Sequence, residues 1–275
     1  MPSNLPNYTL VVVVDHRHLS QLAMTWKTWQ RHKPSTMDCP ILIVYDRQQV
    51  LPSRIVDLLG TDSLGGAGVQ CYSWPPTDVE YPAGTDKWTD SQRYRMLSGF
   101  VHATAKMVDT PFWLKLDTDV VATGQDNWID PNWFSDNPAI VAQPWGFTKP
   151  ANQMVDLDTW VATHGDVLTE LRSKPPLNLR PKPGWSMIRH PRIISWCGFF
   201  NTEFTRKCSE WAELTCGHGL LPVPSQDGFI WYCAARLGLP IVRPQMKNLG
   251  WEHWSTDGNV QKAYLKAMET TDVRK

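Results

Sequence analysis

The stretch PFWLKLDTDVVATG, residues 111–124, combines an apolar run with two carboxylates at its end. The run has the length and the apolar character of a buried strand. Asp117 and Asp119 follow it, two residues apart. In open α/β sheets, ligands bind outside the carboxyl ends of the strands. The position of these two side chains therefore favours a functional site.

Two carboxylates this close repel each other unless a cation joins them. Oxygen ligands suit magnesium or manganese, and the phosphates of a substrate can fill the remaining coordination positions. We therefore predict a divalent metal site at Asp117 and Asp119. A second interpretation is a solvated turn in which one aspartate caps a following helix.

The string LKLDTDVVAT also fits the DxDx[TV] motif of the haloacid dehalogenase phosphatases. In that interpretation Asp117 is the nucleophile and Asp119 the acid. Members of that family usually have the motif on their first strand and a paired acidic motif downstream. Here at least two predicted strands precede it, and no downstream DD or GDxxxD pattern follows. The phosphatase stays as an alternative.

The first half of the chain alternates between strand and helix patterns. Residues 8–15 and 40–46 are continuous apolar runs, typical of strands covered on both faces. Helical spacing follows each of them, at 19–32 and 50–60, and a longer helix is predicted over 91–108. This rhythm predicts βαβ units, and hence an α/β fold with a mostly parallel central sheet flanked by helices.

The second half is less regular, and prolines are frequent between 144 and 191. We interpret that stretch as a loop that covers a site. We predict a single domain over 1–275, with a nucleotide-binding half (1–123) and an acceptor-binding half (124–275). Further helices are predicted at 157–172, 203–216, 226–237 and 259–270, and a short strand at 239–242. Residues 193–200 form an apolar run.

Composition excludes several classes of partner and location. Lys plus Arg equals Asp plus Glu, at 27 each, so no overall field favours nucleic acid. The six cysteines form no CxxC pair, which is typical of reduced thiols. The apolar run YTLVVVVD is too short for a signal peptide or a membrane span. We predict a cytoplasmic protein without a transmembrane segment, and a peripheral position at a membrane stays open.

The order of the motifs resembles the GT-A fold of nucleotide-sugar-dependent glycosyltransferases. The resemblance covers roughly residues 8–255 and rests on four short motifs in sequence order. They are the DTD at 117–119, the glycine of SWCGFFN (Gly198), the acid of SQDGFIWYCAARLGLPI (Asp227) and a histidine near the C-terminus in GWEHWSTDG (His253). Gln226 stands where that family commonly has glutamate.

The resemblance implies a role for each matched residue. Asp117 and Asp119, with His253, would hold manganese or magnesium against the diphosphate of a UDP- or GDP-linked sugar donor. Gly198 would lie beside the donor sugar, and Asp227 would accept the proton of an unknown hydroxyl acceptor, which implies an inverting hexosyltransferase-like enzyme.

Two further donor contacts are expected before the DxD strand. Asp15 ends the first predicted strand, where the family usually binds the nucleobase and ribose. Arg93 is a candidate for the diphosphate, since arginine makes bidentate phosphate contacts.

Structural roles remain open for several of these residues. Asp227 could be a first-turn acid favoured by the helix dipole, and His253 a packed histidine. Gly198 could be a close-packing glycine, and Asp15 could merely end a strand. Most of the 15 tryptophans are expected in the core, and Trp196 and Trp251 are the candidates for stacking on a sugar.

A non-catalytic carbohydrate-binding protein that uses tryptophans is a further alternative function. A nucleotidyltransferase of the same broad fold is disfavoured, because VVVVDHRHLSQ lacks the glycine-rich, lysine-containing signature of that class.

Overall fold

The computed structural model describes residues 5–46, 50–60, 68–74, 101–145, 158–159, 161–163, 168–177, 192–217, 226–254 and 257–269. The predicted strand–helix alternation is present in the first half. The strands there are β1 (Tyr8–Val14), β2 (Ile41–Asp46), β3 (Val69–Trp74), β4 (Phe112–Leu116) and β5 (Val120–Ala122), and the helices are α1 (Leu19–His32), α2 (Pro34–Met37) and α3 (Pro52–Leu59).

The second half contributes further strands and helices, and three of its helices lie close to the predicted bounds. The predicted helix over 157–172 is interrupted at Leu168, and its last turn is a separate helix. The strands are β6 (Ile140–Trp145), β7 (Arg192–Asn201), β8 (Ile241–Val242) and β9 (Trp251–His253). The helices are α4 (Thr169–Arg172), α5 (Thr202–Gly217), α6 (Gln226–Leu237) and α7 (Asp257–Glu269), and short 3-10 turns lie at Pro131–Phe134 and Met246–Leu249. Of the predicted helix over 91–108, residues 101–107 are described and are helical. Most of the proline-rich stretch lies outside the described residues.

The central sheet has seven strands in the order β3-β2-β1-β4-β7-β6-β8. Strands β3, β2, β1 and β4 are parallel, β7 is antiparallel to both of its neighbours, and β8 is parallel to β6. The predicted α/β class with a mostly parallel sheet is therefore confirmed. The sheet takes strands from both predicted halves of the chain, and their division at residue 123 stays a prediction.

Helices cover both faces of the sheet. Leu22, Trp26 and Trp29 of α1 pack on one face together with β4 residues Leu114 and Leu116. The other face packs against α5, α6 and the helical residues 101–107. Burial on both faces explains why the strands are continuous apolar runs rather than alternating ones.

A second, two-stranded sheet lies beside the end of β4. Its strands β5 and β9 pair antiparallel, with Val120 opposite His253 and Ala122 opposite Trp251. Since β5 begins directly after the DTD turn, this pairing brings the C-terminal region of the chain to the carboxyl end of β4.

Candidate metal and donor site

The described structure gathers Asp117, Asp119 and His253 at the carboxyl end of β4. Their ligand atoms all lie within 4.8 Å of one another. His253 Nε2 lies 3.3 Å from Asp119 Oδ2. All three side chains are partly exposed. Two carboxylates and one imidazole at this separation can share a single divalent ion.

No helix follows the DTD turn. Val120 donates its N–H to the Asp117 carbonyl at 3.2 Å, and strand β5 starts there. The interpretation of an aspartate that caps a following helix is therefore excluded. Three strands precede the motif among the described residues, whereas the phosphatases usually have it on their first strand.

Helix α1 fixes the turn through side chains that reach backbone atoms. Thr25 Oγ1 donates to the Thr118 carbonyl at 2.9 Å, and Trp29 Nε1 donates to the Val120 carbonyl at 2.7 Å. Thr28 Oγ1 accepts the N–H of Ala122 at 3.0 Å. All three side chains are buried, so these three backbone groups are satisfied without water.

His253 is held through a face of its ring and through a ring nitrogen. Its imidazole stacks on Trp196, with ring centroids 5.7 Å apart and planes inclined by 13°. The Trp254 N–H donates to the Asp119 carbonyl at 3.2 Å and so fixes the neighbouring backbone. Burial lowers the pKa of His253, but its hydrogen bond to Asp119 and the charges of Asp119 and Asp117 outweigh burial, and the net pKa is raised.

Trp196 and Trp251 are both buried, and Trp251 has no exposed surface. These two side chains pack in the core and do not form an open platform for a sugar. Trp196 instead forms the wall against which His253 lies.

Lys33 stabilises the segments next to the β5–β9 sheet, and no sequence pattern pointed to it. Its side chain is fully buried at the end of α1. The ammonium donates to the Gln125 carbonyl and, at 2.9 Å, to the Leu249 carbonyl, and it lies 5.6 Å from the ring centroid of Trp251. It thereby joins α1 to the segments that follow β5 and precede β9.

Burial lowers the pKa of Lys33 to about 8 from 10.5. The unfolded chain then binds more protons than the folded one between pH 8 and 10.5, so the unfolding free energy rises with pH across this window. The contribution of Lys33 to stability is complete above pH 10.5 and is lost as the pH falls to 8. We expect the unfolding free energy of the wild type, minus that of Lys33→Met, to rise by on the order of 2 kcal/mol across this window. Urea titrations at several pH values measure it, and parallel pH profiles of the two proteins would contradict it.

Asp15 lies at the end of β1, at the same sheet edge as the DTD turn, because β1 and β4 are parallel neighbours. It accepts hydrogen bonds from the Arg17 N–H (2.9 Å), the Arg17 guanidinium (2.9 Å) and His18 Nδ1 (2.7 Å). Burial raises its pKa, but the bonds from His18 and Arg17 outweigh burial and hold the pKa well below the usual range. Its contact with a nucleoside stays a prediction.

Gly198 lies inside strand β7. A Cβ there would lie 2.8 Å from the Cβ of Ala142. This contact favours the close-packing interpretation, and a direct contact with a donor sugar remains untested.

Asp227 is the second residue of α6, so an acid does begin this helix, as the sequence predicted. Its side chain lies outside the described part of the structure. Arg93 also lies outside the described residues, and both roles stay predictions.

Lys115 is the charged residue beside the carboxylates that sequence reasoning passed over. Its side chain is 3% exposed, and its ammonium contacts Asp117 Oδ1. A lysine inside an otherwise apolar strand was the available signal, because a buried charge requires a partner.

No protein-family model matches this chain, and no curated protein is similar to it in sequence. Solved structures are similar in fold. Core-mannan synthase A (CmsA/Ktr4) from Aspergillus fumigatus, in a Mn/GDP form, superposes with a TM-score of 0.56 at 14% identity, over 97% of this chain and 86% of that one.

Two further structures superpose at a TM-score of 0.50. Galactosyltransferase LgtC, in complex with donor and acceptor sugar analogues, is 10% identical over 96% of this chain and 98% of that one. The mannosyltransferase Ktr4p from S. cerevisiae, in complex with GDP, is 11% identical over 91% and 72%.

This chain has the GT-A fold. The resemblance inferred from the motif order is thus confirmed for the fold. Within the GT-A fold, the DTD turn stands at the carboxyl end of β4, next to the antiparallel β7. No helix among the described residues is long and apolar enough to cross a membrane. A cytoplasmic location stays a prediction.

Proposed function

We propose that the chain is a metal-dependent glycosyltransferase that transfers a sugar from a nucleotide-diphosphate sugar to a hydroxyl acceptor. One observation supports this most: Asp117, Asp119 and His253 converge at the carboxyl end of a central strand in a GT-A fold. The structures similar in fold are glycosyltransferases, two of them bearing GDP and one bearing donor and acceptor analogues. The two structures that bear GDP favour a GDP-linked donor here, and a UDP-linked donor is the alternative that the motif resemblance implies.

The three candidate ligands, Asp117, Asp119 and His253, fit a divalent cation. Carboxylate oxygens suit manganese and magnesium, and an added imidazole favours manganese over magnesium. When bound, such an ion neutralises the charge that develops on the leaving diphosphate. Asp119 and His253 would hold it from the side of the β5–β9 sheet, and Asp117 from the end of β4.

The protein's own residues prepare this site before a donor binds. The hydrogen bonds of Thr25, Thr28 and Trp29 fix the backbone that bears Asp119. Trp196 fixes the plane of the His253 imidazole. Ligands that are already oriented lose little conformational freedom on binding, which favours affinity.

The test is a thermal-shift screen of UDP, GDP and their sugar conjugates, each with and without manganese. A ligand that binds only the folded state raises the melting temperature by mass action. We expect a shift for one nucleotide that requires the metal. Absence of a shift at millimolar ligand would contradict the proposal, and a phosphatase assay would then test the alternative in which Asp117 is a nucleophile.

Asp227 is proposed as the general base, which would make the enzyme inverting. Asp227→Asn keeps the size of the side chain but cannot accept the acceptor's proton. We expect unchanged metal-dependent nucleotide binding and a loss of transfer of about 100-fold or more. The checks are binding by calorimetry and turnover of a donor in parallel. Normal transfer by the variant would remove Asp227 from this role.

A further inference from the structure

Lys115 is an ammonium group within a strand that is buried on both faces. Every residue of β4 is buried, and Lys115 stands among Phe112, Trp113, Leu114 and Leu116. Removing an ammonium from water costs several kcal/mol unless an anion and hydrogen bonds compensate. A plain core position would be served better by leucine, so the charge itself needs an explanation.

The sheet leaves room for this side chain. Lys115 pairs with Gly198 on β7, and Gly198 pairs with Ala142 on β6. Directly paired residues of antiparallel strands project to the same face. Because Gly198 has no side chain and Ala142 has only a methyl group, no large group lies beside the lysine stem on the β7 side, and Val11 of β1 is its partner on the other side.

The ammonium reaches the candidate metal site. Along a strand, residues two apart project to the same face, and Lys115 Nζ contacts Asp117 Oδ1. Lys115 therefore lies within electrostatic reach of the ligand group.

We propose that Lys115 competes with the divalent cation for Asp117, and that it turns to the donor's diphosphate once the cation is bound. The proposal rests on the glycosyltransferase function proposed above and adds how that site is regulated. Metal and nucleoside diphosphate then bind in a coupled way, each strengthening the other.

The coupling follows from charge and from confinement. A cation on Asp117 stands next to a buried ammonium whose stem is fixed in β4, and like charges at a few ångströms repel strongly in a partly buried site. A diphosphate supplies the anion that both cations then share. By linkage, any gain in metal affinity caused by the diphosphate equals the gain in diphosphate affinity caused by the metal.

The test compares Mn²⁺ binding with and without UDP or GDP, by electron paramagnetic resonance of free Mn²⁺, for the wild type and Lys115→Met. Methionine keeps the length of the stem without the charge. We expect Lys115→Met to bind Mn²⁺ alone about 10-fold more tightly, and the nucleotide-induced gain in Mn²⁺ affinity to fall by about 10-fold. Lys115→Arg keeps the positive charge, and we expect it to keep part of the coupling. This variant tests the proposal if Lys115→Met folds poorly.

Lys207→Met is the matched control. Lys207 lies on α5 and pairs with Glu170 at 3.1 Å, so the variant also removes one lysine–carboxylate pair. Helix α5 begins at the end of β7, and β7 is antiparallel to β4, which places this pair at the opposite edge of the sheet. We expect wild-type coupling in this variant.

The outcomes separate the two proposals. If the wild type shows coupled binding and Lys115→Met shows the same Mn²⁺ affinity and the same coupling, or a weaker Mn²⁺ affinity, the role of Lys115 is wrong and the function stands. If the wild type fails to bind Mn²⁺ in the presence of UDP and also in the presence of GDP, the proposed function itself fails.

Discussion

Gly250→Ala is expected to destabilise the protein by about 3 kcal/mol or more and to displace the β5–β9 sheet. Gly250 has φ +80°, and a Cβ there would lie 1.9 Å from the carbonyl oxygen of Thr123 and 3.1 Å from Lys33 Nζ. The left-handed backbone costs an alanine about 1–2 kcal/mol, and an overlap with backbone atoms adds about 1–3 kcal/mol. The Gly250 carbonyl also accepts the Thr123 N–H at 2.7 Å, so relief of the overlap breaks a hydrogen bond.

Gly238→Ala is the control for the backbone term alone. Gly238 has φ +68°, and a Cβ there would meet nothing within 4 Å. We expect this variant to lose about 1 kcal/mol. Urea unfolding of both variants measures the difference, and equal losses would show that the contact with Thr123 has no energetic effect.

Asp119→Ala is expected to weaken metal-dependent nucleotide binding by at least about 100-fold while the fold stays intact. Its carboxylate is one of three proposed ligands and is partly exposed, so its removal opens no core cavity. Calorimetry of Mn²⁺ with nucleotide measures the loss, and the melting curve reports the fold.

A second readout of Asp119→Ala is independent of any ligand. The hydrogen bond and charge of Asp119 raise the pKa of His253 against burial, so the imidazole pKa should fall in the variant. An NMR titration of His253 follows it. Asp126→Ala is the control, because that carboxylate instead accepts hydrogen bonds from Ser35 and lies outside the ligand group. Wild-type nucleotide binding by Asp119→Ala would exclude Asp119 as a metal ligand.

Local sequence patterns predicted most of the central sheet and its helices. The bounds of α1 and α6 were predicted from the spacing of apolar residues within each segment. Strand order depends on pairing between distant segments, and no local pattern encodes it. The insertion of β7 antiparallel between β4 and β6 is an example.

The candidate site divides in the same way. Asp117 and Asp119 are adjacent in sequence to the strand that presents them, so their motif predicted a site at that strand end. His253 was matched only through a family resemblance, and the β5–β9 pairing is what brings it to Asp119.

The α/β alternation and the carboxylate pair could be predicted from the chain alone, because strand and helix periodicity and the DTD spacing are local properties. The groups that balance those carboxylates depend on tertiary contacts: Lys115 contacts Asp117, and His253 lies against Asp119. A partly buried charge is stabilised by the groups that packing brings within a few ångströms, and packing joins residues that no spacing in the sequence relates.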